Sequence, residues 1–199
     1  DDVVLDREGG GFYVTGTPAL SRPWAEVGVA TEGSGEGISG LSDFSQESAT
    51  FPFGTHLVVV EVDTETGSVV VKRIVAVDDA GILVNPLLAA GQIHGGLAQG
   101  VAQALLEEFR YDPDGNPQTS NLADYTAVST MEVPSYERIV METTTPVNPL
   151  GAKGIGEAGS IGSTAAGQNA VVDALAHLGI KHLDMPLTPE RIWQALAGS

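Results

Sequence analysis

A run of closely spaced glycines constrains this chain more than any other stretch of its sequence. Five of the twelve residues from 151 to 162 are glycine, and the run contains one acid, Glu157. Because glycine loses more conformational freedom on folding than any other residue, this density indicates a backbone that turns sharply or lies against a large neighbour. A carboxylate there, just before a predicted helix, is placed either to act as a base or simply to favour the helix dipole.

The composition indicates a globular protein and excludes several function classes. The 199 residues are 42% hydrophobic and 18% charged, which is typical of a folded chain with one good core. The net charge of −17 argues against nucleic acids and anionic membranes as partners. The absence of cysteine excludes disulfides, thiol catalysis and an iron–sulfur cluster held by this chain's own thiolates. No apolar run approaches the roughly 20 residues of a membrane span, and no signal peptide opens the chain.

The sequence pattern predicts three parts. Residues 1–30 form an N-terminal segment with a strand from Gly11 to Thr15 and a helical turn near 23–27. Residues 31–50 are rich in Gly, Ser and Glu, which predicts a flexible loop. Residues 51–199 form the main part, in which strands and helices are mixed without regular βαβ alternation. We therefore expect an α+β fold.

Within the main part, the strongest signal is a β-hairpin. The β-branched runs from His56 to Val62 and from Val69 to Val77 flank a turn that ends in Gly67. Residues 122–128 and 139–143 are also strand-like. Helices are predicted over 86–109, over 160–178 and from Pro189 to Ala197. The apolar stripe assigned to the second of these helices consists of Ile161, Ala165, Val172, Leu175 and Leu178.

The helix predicted over 86–109 has two different faces. One is an apolar stripe formed by Ile93, Leu97, Val101, Ala104 and Leu105. The other half of the helix carries Gln92, Gln99 and Gln103, with Gly96 close beside them and Gly95 further round. Amides both donate and accept hydrogen bonds, which suits a polar heterocycle, and glycine lets a flat ligand approach closely. A solvated glutamine face with glycines that serve helix packing is an open alternative.

Other motifs are excluded or weak. A Walker-type phosphate loop requires Ser or Thr after its lysine, and Lys153 is followed by Gly154. A dinucleotide fingerprint lacks a clear preceding strand. The four histidines are scattered without zinc-site spacing. Asp78 and Asp79 follow a strand and could be ligands, but solvation in a loop is the favoured interpretation.

Three segments in order resemble one family. They are Val77-Asp78-Asp79-Ala80-Gly81 with Val84-Asn85-Pro86, then residues 91–100 from Gly91 to Gly100, then residues 148–159 from Asn148 to Gly159. They resemble the C-terminal part of the molybdenum-binding subunit of molybdenum hydroxylases, the xanthine dehydrogenase and aldehyde oxidase family. The likeness is strongest to the aerobic carbon monoxide dehydrogenase large-subunit type. Residues 184–193 of this chain also resemble the tail of that type. It covers residues 51–197 and, more loosely, 1–30.

The resemblance implies roles for particular residues. In that family the acid that matches Glu157 is the active-site base: it takes a proton from a metal-bound hydroxyl, so that water-derived oxygen enters the substrate carbon while hydride passes to the metal centre. The residues that the resemblance places at the cofactor are Gln92, Gly95, Gly96, Gln99, Lys153, Gly154, Ile155 and Gly156. No side chain of the chain is implied as a metal ligand, because the pterin dithiolene holds the metal.

The resemblance also implies cofactors and partners. The cofactor is the molybdenum cofactor, molybdopterin in its cytosine dinucleotide form, and electrons pass from molybdenum to Fe–S and FAD centres on partner chains. Family subunits are several times longer, so the expected partners are the remaining portion of the molybdenum subunit, an iron–sulfur subunit, an FAD subunit and a small-molecule substrate, in the cytoplasm. The substrate is open between carbon monoxide, an aldehyde and an N-heterocycle. A non-catalytic remnant that keeps the fold as an interaction module is the alternative.

Overall fold

The computed structural model describes residues 2–32 and 39–198. The chain divides into two compact units, Asp1–Ser45 and Gln46–Ser199. Of the loop predicted over 31–50, residues 33–38 lie outside the described residues. Residues 31–32 belong to a helix, and residues 39–50 form neither helix nor strand. The three-part division stays a prediction.

The first unit is a three-stranded antiparallel sheet followed by a helix. Strands β1 (Val3–Asp6), β2 (Gly11–Val14) and β3 (Thr17–Pro23) pair in that order, and helix α1 covers Trp24–Glu32. The predicted strand and helical turn are confirmed. The flanking strands were missed because β3 is exposed along its whole length, so it shows no alternation of apolar and polar residues.

The second unit is built on a three-stranded sheet with one face covered by helices. Strands β4 (Phe53–Val62) and β5 (Val69–Asp79) form the predicted antiparallel hairpin, and β6 (Tyr136–Met141) pairs with β5 in parallel. The hairpin turn needs Gly67, whose φ is +74° and whose missing side chain leaves room for the backbone of Pro189.

Helix α2 (Pro86–Leu105) connects the parallel strands β5 and β6, as parallel pairing requires. It starts where Asn85 Oδ1 accepts the Leu88 N–H at 3.1 Å. It ends at Leu105, four residues before the predicted end. The strand predicted over 122–128 is wrong: Asn121 Oδ1 accepts the Ala123 N–H at 2.8 Å, and this turn takes the place of strand pairing.

Helices α3 (Ala158–Leu175) and α4 (Pro189–Ala197) complete the fold, with a 3₁₀ turn over Ala176–Leu178. Thr188 caps α4, since its Oγ1 accepts the Arg191 N–H at 3.4 Å. The core is formed by β5, α2, α3 and α4; its largest side chains with less than 2% exposure are Ile74, Ile93, Leu97, Leu175, Leu187 and Ile192. The apolar stripe predicted for α2 is confirmed, and so is the α+β class. In the described part of the chain, no helix combines the length and the apolar character that crossing a membrane requires.

The prediction for the buried face of α3 is wrong except at Leu175, which is buried as expected. Ile161 is 71% exposed, and the residues that α3 buries are Gly159, Ser163, Gly167, Val171 and Leu175. Three of these five are small, because α3 lies directly against α2. The neighbouring pairs along the two helices are Gly96 with Gly159, Gly100 with Ser163, and Ala104 with Gly167. Residue numbers rise together in these pairs, so α2 and α3 run in the same direction. A search for large apolar residues finds the wrong face of such a helix.

Candidate functional site

The glycine-rich loop before α3 is joined to the end of β5 by main-chain contacts. Gly81 and Ala152 form an isolated antiparallel bridge, and the Lys153 N–H donates to the Ala80 carbonyl at 2.8 Å. Both Gly81 and Gly151 have left-handed φ values, +62° and +65°, which favour glycine. The loop is therefore fixed to the sheet immediately before the helix that begins beside Glu157.

Asp79 is the polar centre of this junction. Its carboxylate is 1% exposed and accepts hydrogen bonds from the N–H groups of Gly81 at 2.9 Å and Thr143 at 2.8 Å and from Lys153 Nζ at 3.0 Å. Burial raises the pKa of Asp79, but the hydrogen bonds from Thr143, Gly81 and Lys153 together outweigh it and lower the pKa to about 2. The interpretation of Asp79 as a solvated loop residue is therefore wrong, because this acid ties three segments of the chain together.

Lys153 contributes its charge to this junction. Its side chain is 8% exposed, and its ammonium lies both 3.0 Å from Asp79 Oδ1 and 4.7 Å from the centre of the Phe53 ring. The ammonium is thus used within the chain. A contact between Lys153 and a cofactor stays a prediction.

Glu157 immediately precedes α3 and is exposed. Its side chain makes no capping hydrogen bond, although its position is that of the helix N-cap. The main chain does cap the turn, since the Ile161 N–H donates to the Glu157 carbonyl at 3.1 Å. Glu157 thus lies at the positive end of an 18-residue helix without capping it, and its role as a base stays a prediction.

The glutamine face of α2 is exposed next to Glu157. Gln92, Gln99 and Gln103 are all exposed, as the spacing predicts. Gln92 Oε1 lies 3.8 Å from the point that a Cβ on Gly156 would occupy, so Gln92 is close to the residue before Glu157. Gln103 instead accepts a hydrogen bond from Thr164 Oγ1 at 3.2 Å and links α2 to α3. The structure thus brings Gln92 and Glu157 to one surface.

The predicted site glycines divide into two kinds. A Cβ on Gly95 or Gly154 would meet nothing within 4 Å, so these positions leave the backbone open to a ligand. Gly96 is buried, and a Cβ there would lie 2.8 Å from the Ser160 nitrogen, so the helix-packing interpretation applies to Gly96. Ile155 is half-buried and lines a pocket of about 210 Å³ together with Gln92 and Lys153.

A second buried polar pair, which the sequence pattern did not predict, lies close by. His56 Nε2 and Asp78 Oδ1 are 3.0 Å apart, and both side chains are only 2% exposed. Asp78 was interpreted as a solvated loop residue, and this is wrong, because it lies in β5 facing α3. The signal was the strand alternation itself, which, extended two residues, places Asp78 on the covered face with Ile74 and Ala76. Among the described residues, no group of three His, Asp or Glu side chains could hold a metal ion.

Comparisons with known proteins converge on one family. Residues 1–134 match the family model described as the molybdopterin cofactor-binding domain. The carbon monoxide dehydrogenase large chain of Hydrogenophaga pseudoflava is 37% identical over 197 residues, which cover 96% of this chain and 24% of that one. The matched range of the family model includes Gln92 and Gln99 and ends before Glu157, whereas the match to the large chain covers nearly the whole sequence.

Solved structures agree. Carbon monoxide dehydrogenase from Oligotropha carboxidovorans has a TM-score of 0.88 at 32% identity, covering 98% of this chain and 25% of that chain. Quinoline 2-oxidoreductase from Pseudomonas putida 86 has a TM-score of 0.84 at 37% identity, with coverages of 98% and 26%. The chain therefore spans about a quarter of the length of the relatives that it matches.

Proposed function

The chain belongs to the molybdopterin cofactor-binding domain family, and from this premise we propose that it forms one wall of the molybdenum site in a molybdenum hydroxylase, with Glu157 as the active-site base. The observation that carries the proposal is that Gln92 lies close to the residue before Glu157, with its Oε1 3.8 Å from the point that a Cβ on Gly156 would occupy. Gln92 and Glu157 are 65 positions apart in the sequence and belong to different elements, yet the packing of α2 on α3 puts them on one exposed surface.

The residues on this surface fit a large polar cofactor. Gln92 and Gln99 offer exposed amides, which donate and accept hydrogen bonds as a pterin ring requires. Gly95 and Gly154 leave open space where any side chain would project, so a flat ligand can approach the backbone. We assign cofactor binding to these four residues and to the Lys153–Gly156 segment, with Gly96 acting through helix packing. The cytosine dinucleotide form of molybdopterin is part of this proposal.

Glu157 supplies the base. When bound, the molybdenum cofactor supplies the two-electron oxidation and the site of oxygen transfer. The Glu157 carboxylate accepts the proton that is released as water-derived oxygen enters the substrate. Its exposed position and the absence of a capping bond leave both carboxylate oxygens available for that proton.

The remaining walls of the site belong to other polypeptide. Because the relatives are about four times as long, we propose that the remaining portion of the molybdenum subunit completes the pocket and selects the substrate. An iron–sulfur subunit and an FAD subunit then carry electrons away, since this chain has no cysteine with which to hold a cluster. We place this complex in the cytoplasm.

Two measurements test the proposal on the complex purified from its natural host. Native mass spectrometry and metal analysis are expected to find molybdenum and a pterin dinucleotide in a stoichiometric assembly with longer chains. A stable, metal-free, solitary chain would instead support the interaction-module alternative.

The second measurement is the turnover of Glu157→Gln. It is assayed with carbon monoxide, benzaldehyde and quinoline, and whichever of these the wild type oxidises is used for all variants. We expect kcat to fall about 10²- to 10⁴-fold at unchanged molybdenum content. Glu65→Gln is the matched control: it makes the same substitution at an exposed glutamate in the turn between β4 and β5. Equal activity of the two variants would overturn the assignment of the base.

A further inference from the structure

The buried His56–Asp78 pair lies directly beneath the first turns of α3. His56 is in β4 and Asp78 in β5, and the two side chains meet on the sheet face that the helices cover, with 3.0 Å between His56 Nε2 and Asp78 Oδ1. They line a pocket of about 110 Å³ together with Ala158, Ile161 and Gly162 of α3. Ala158 immediately follows Glu157, so the pair contacts the part of the helix that carries the proposed base.

The imidazole ring of His56 sets how closely α3 approaches the sheet. A Cβ placed on Gly162 would overlap this ring, lying 2.7 Å from its Cγ and Cε1 atoms and nearer still to Nδ1. Any larger residue at position 162 therefore has to lift the helix or displace the ring. The ring cannot swing aside freely, because Asp78 holds its Nε2.

The hydrogen bonding of the His56–Asp78 pair is incomplete. Within the described residues, neither His56 Nδ1 nor Asp78 Oδ2 has a hydrogen-bond partner, although both atoms are buried. Buried polar atoms nearly always have partners, and an unpaired one is unfavourable. With Nε2 directed at Asp78 Oδ1, the Nδ1 edge of the ring faces Gly162.

Asp79, the neighbour of Asp78 in β5, holds the chain on the other side of Glu157. Consecutive residues of a strand point to opposite faces, so Asp78 faces α3 while Asp79 binds Lys153 in the loop before the helix. Lys153 precedes Glu157 by four residues, and Gly162 follows it by five. Two consecutive acids of β5 thus fix the chain on both sides of Glu157.

We propose that the His56–Asp78 pair is a positioning device for the molybdenum site: it sets the position of the first turn of α3 and so places Glu157. The inference rests on the proposed function. Because both side chains are only 2% exposed, they act through the backbone of Ala158–Gly162 and not by direct contact with a ligand. Their loss affects the rate of the chemical step rather than the binding of the substrate.

The test uses Gly162→Ala in the assembled complex. We expect kcat to fall about 10- to 100-fold, since a displacement of about 1 Å at a reacting group has effects of this size, while KM and molybdenum content stay unchanged. His56→Gln keeps an amide donor at the place of Nε2 but replaces the rigid ring with a flexible chain, and we expect it to lower kcat only a few-fold. The double variant should recover to the level of His56→Gln, because the flexible chain can move away from the new methyl group.

Gly167→Ala is the matched control. It adds the same methyl group to α3, where the nearest neighbour is the Ala104 side chain at 3.2 Å, ten residues beyond Glu157. Its kcat is expected to stay within about twofold of the wild type, with only stability reduced. An unchanged kcat in Gly162→Ala, or a double variant no better than Gly162→Ala, overturns the positioning role.

Two further outcomes remain decisive. If Gly162→Ala does not assemble, His56→Gln alone decides: a few-fold loss of kcat at constant KM supports the role, and a normal kcat overturns it. If Glu157→Gln is inactive while the position-56 and position-162 variants are normal, only the positioning inference fails. A fully active Glu157→Gln variant shows instead that the proposed function has failed.

Discussion

The two ends of the α2–α3 contact are built differently. Near Glu157 the helices touch through glycine backbone, with a Cβ on Gly96 predicted to lie 2.9 Å from Gly159 Cα. Buried ionisable pairs lie around this end. At the far end of α3, Val171 and Leu175 are 0% and 1% exposed and pack into the apolar core. The glycine end buries little apolar surface but lets the two helix backbones approach closely, so small displacements there are expected to affect activity. The apolar end contributes stability, and small displacements there are expected to leave activity unchanged.

The largest loss of stability is expected where a charge at the site end loses its partner. Asp79→Asn leaves the Lys153 ammonium buried without a carboxylate, so it should lower the free energy of unfolding by about 3–5 kcal/mol. Lys153→Met leaves Asp79 with the N–H groups of Gly81 and Thr143 and should cost about 1.5–3 kcal/mol. Urea unfolding of both variants measures the difference. Equal losses would contradict the central place of Asp79 in this junction.

A truncation at the apolar end is expected to separate stability from activity. Leu175→Ala removes a fully buried side chain and should lower the free energy of unfolding by about 2–5 kcal/mol. Because Leu175 is 18 residues beyond Glu157, kcat per molybdenum should be unchanged in complexes that remain folded. Thermal unfolding and kcat measured on the same preparation check this. A large fall in kcat would show that the two ends are not independent.

A methyl group at the glycine end is expected to lower activity as well as stability. Gly96→Ala places its Cβ 2.8 Å from the Ser160 nitrogen, and this backbone atom can move only if α3 moves. We expect a loss of about 1–3 kcal/mol in stability and also a fall in kcat at constant KM. Steady-state kinetics and urea unfolding of the variant give both numbers. A variant that is destabilised but fully active would remove the distinction between the two ends.

The smallest effect is a dependence of stability on acid pH at Asp79. Burial raises its pKa, but hydrogen bonds from Thr143, Gly81 and Lys153 lower it from the usual 3.8 to about 2. A lowered pKa in the folded state means that the stabilisation is fully present above about pH 4 and is lost as the pH falls towards 2. The difference corresponds to about 2 kcal/mol. Urea unfolding between pH 5 and pH 2 should show this loss in the wild type and a smaller one in Asp79→Asn.

An element could be predicted from the sequence where the residues that it buries are large and apolar. Ile93, Leu97 and Val101 repeat at helical spacing, and the stripe that they form on α2 is buried as expected. For α3 the same reasoning identified only Leu175 correctly, because Gly159, Ser163 and Gly167 form most of its buried face and Ile161 is exposed. Small residues at an interface carry no hydrophobic signal, so only the three-dimensional contact reveals them.

The residues of the candidate site could be identified from the sequence only in part, for a related reason. The glutamine spacing on α2 and the acid before α3 are local features, and both were visible in the sequence. The His56–Asp78 and Lys153–Asp79 pairs join residues 22 and 74 positions apart, and such pairings depend on how distant segments pack rather than on local pattern. A run of two acids after a strand has the composition of a solvated loop, and only the extension of β5 to Asp79 shows that both are buried.

The most direct test of the central claim is the rate at which substrate reduces the oxidised complex in a single anaerobic turnover. This rate reports the proton-coupled chemical step without product release or electron transfer to the partners. The account predicts that Glu157→Gln lowers the rate constant about 10²- to 10⁴-fold at full molybdenum content, whereas Glu65→Gln leaves it unchanged. A Glu157→Gln complex that is reduced as fast as the wild type would contradict the account.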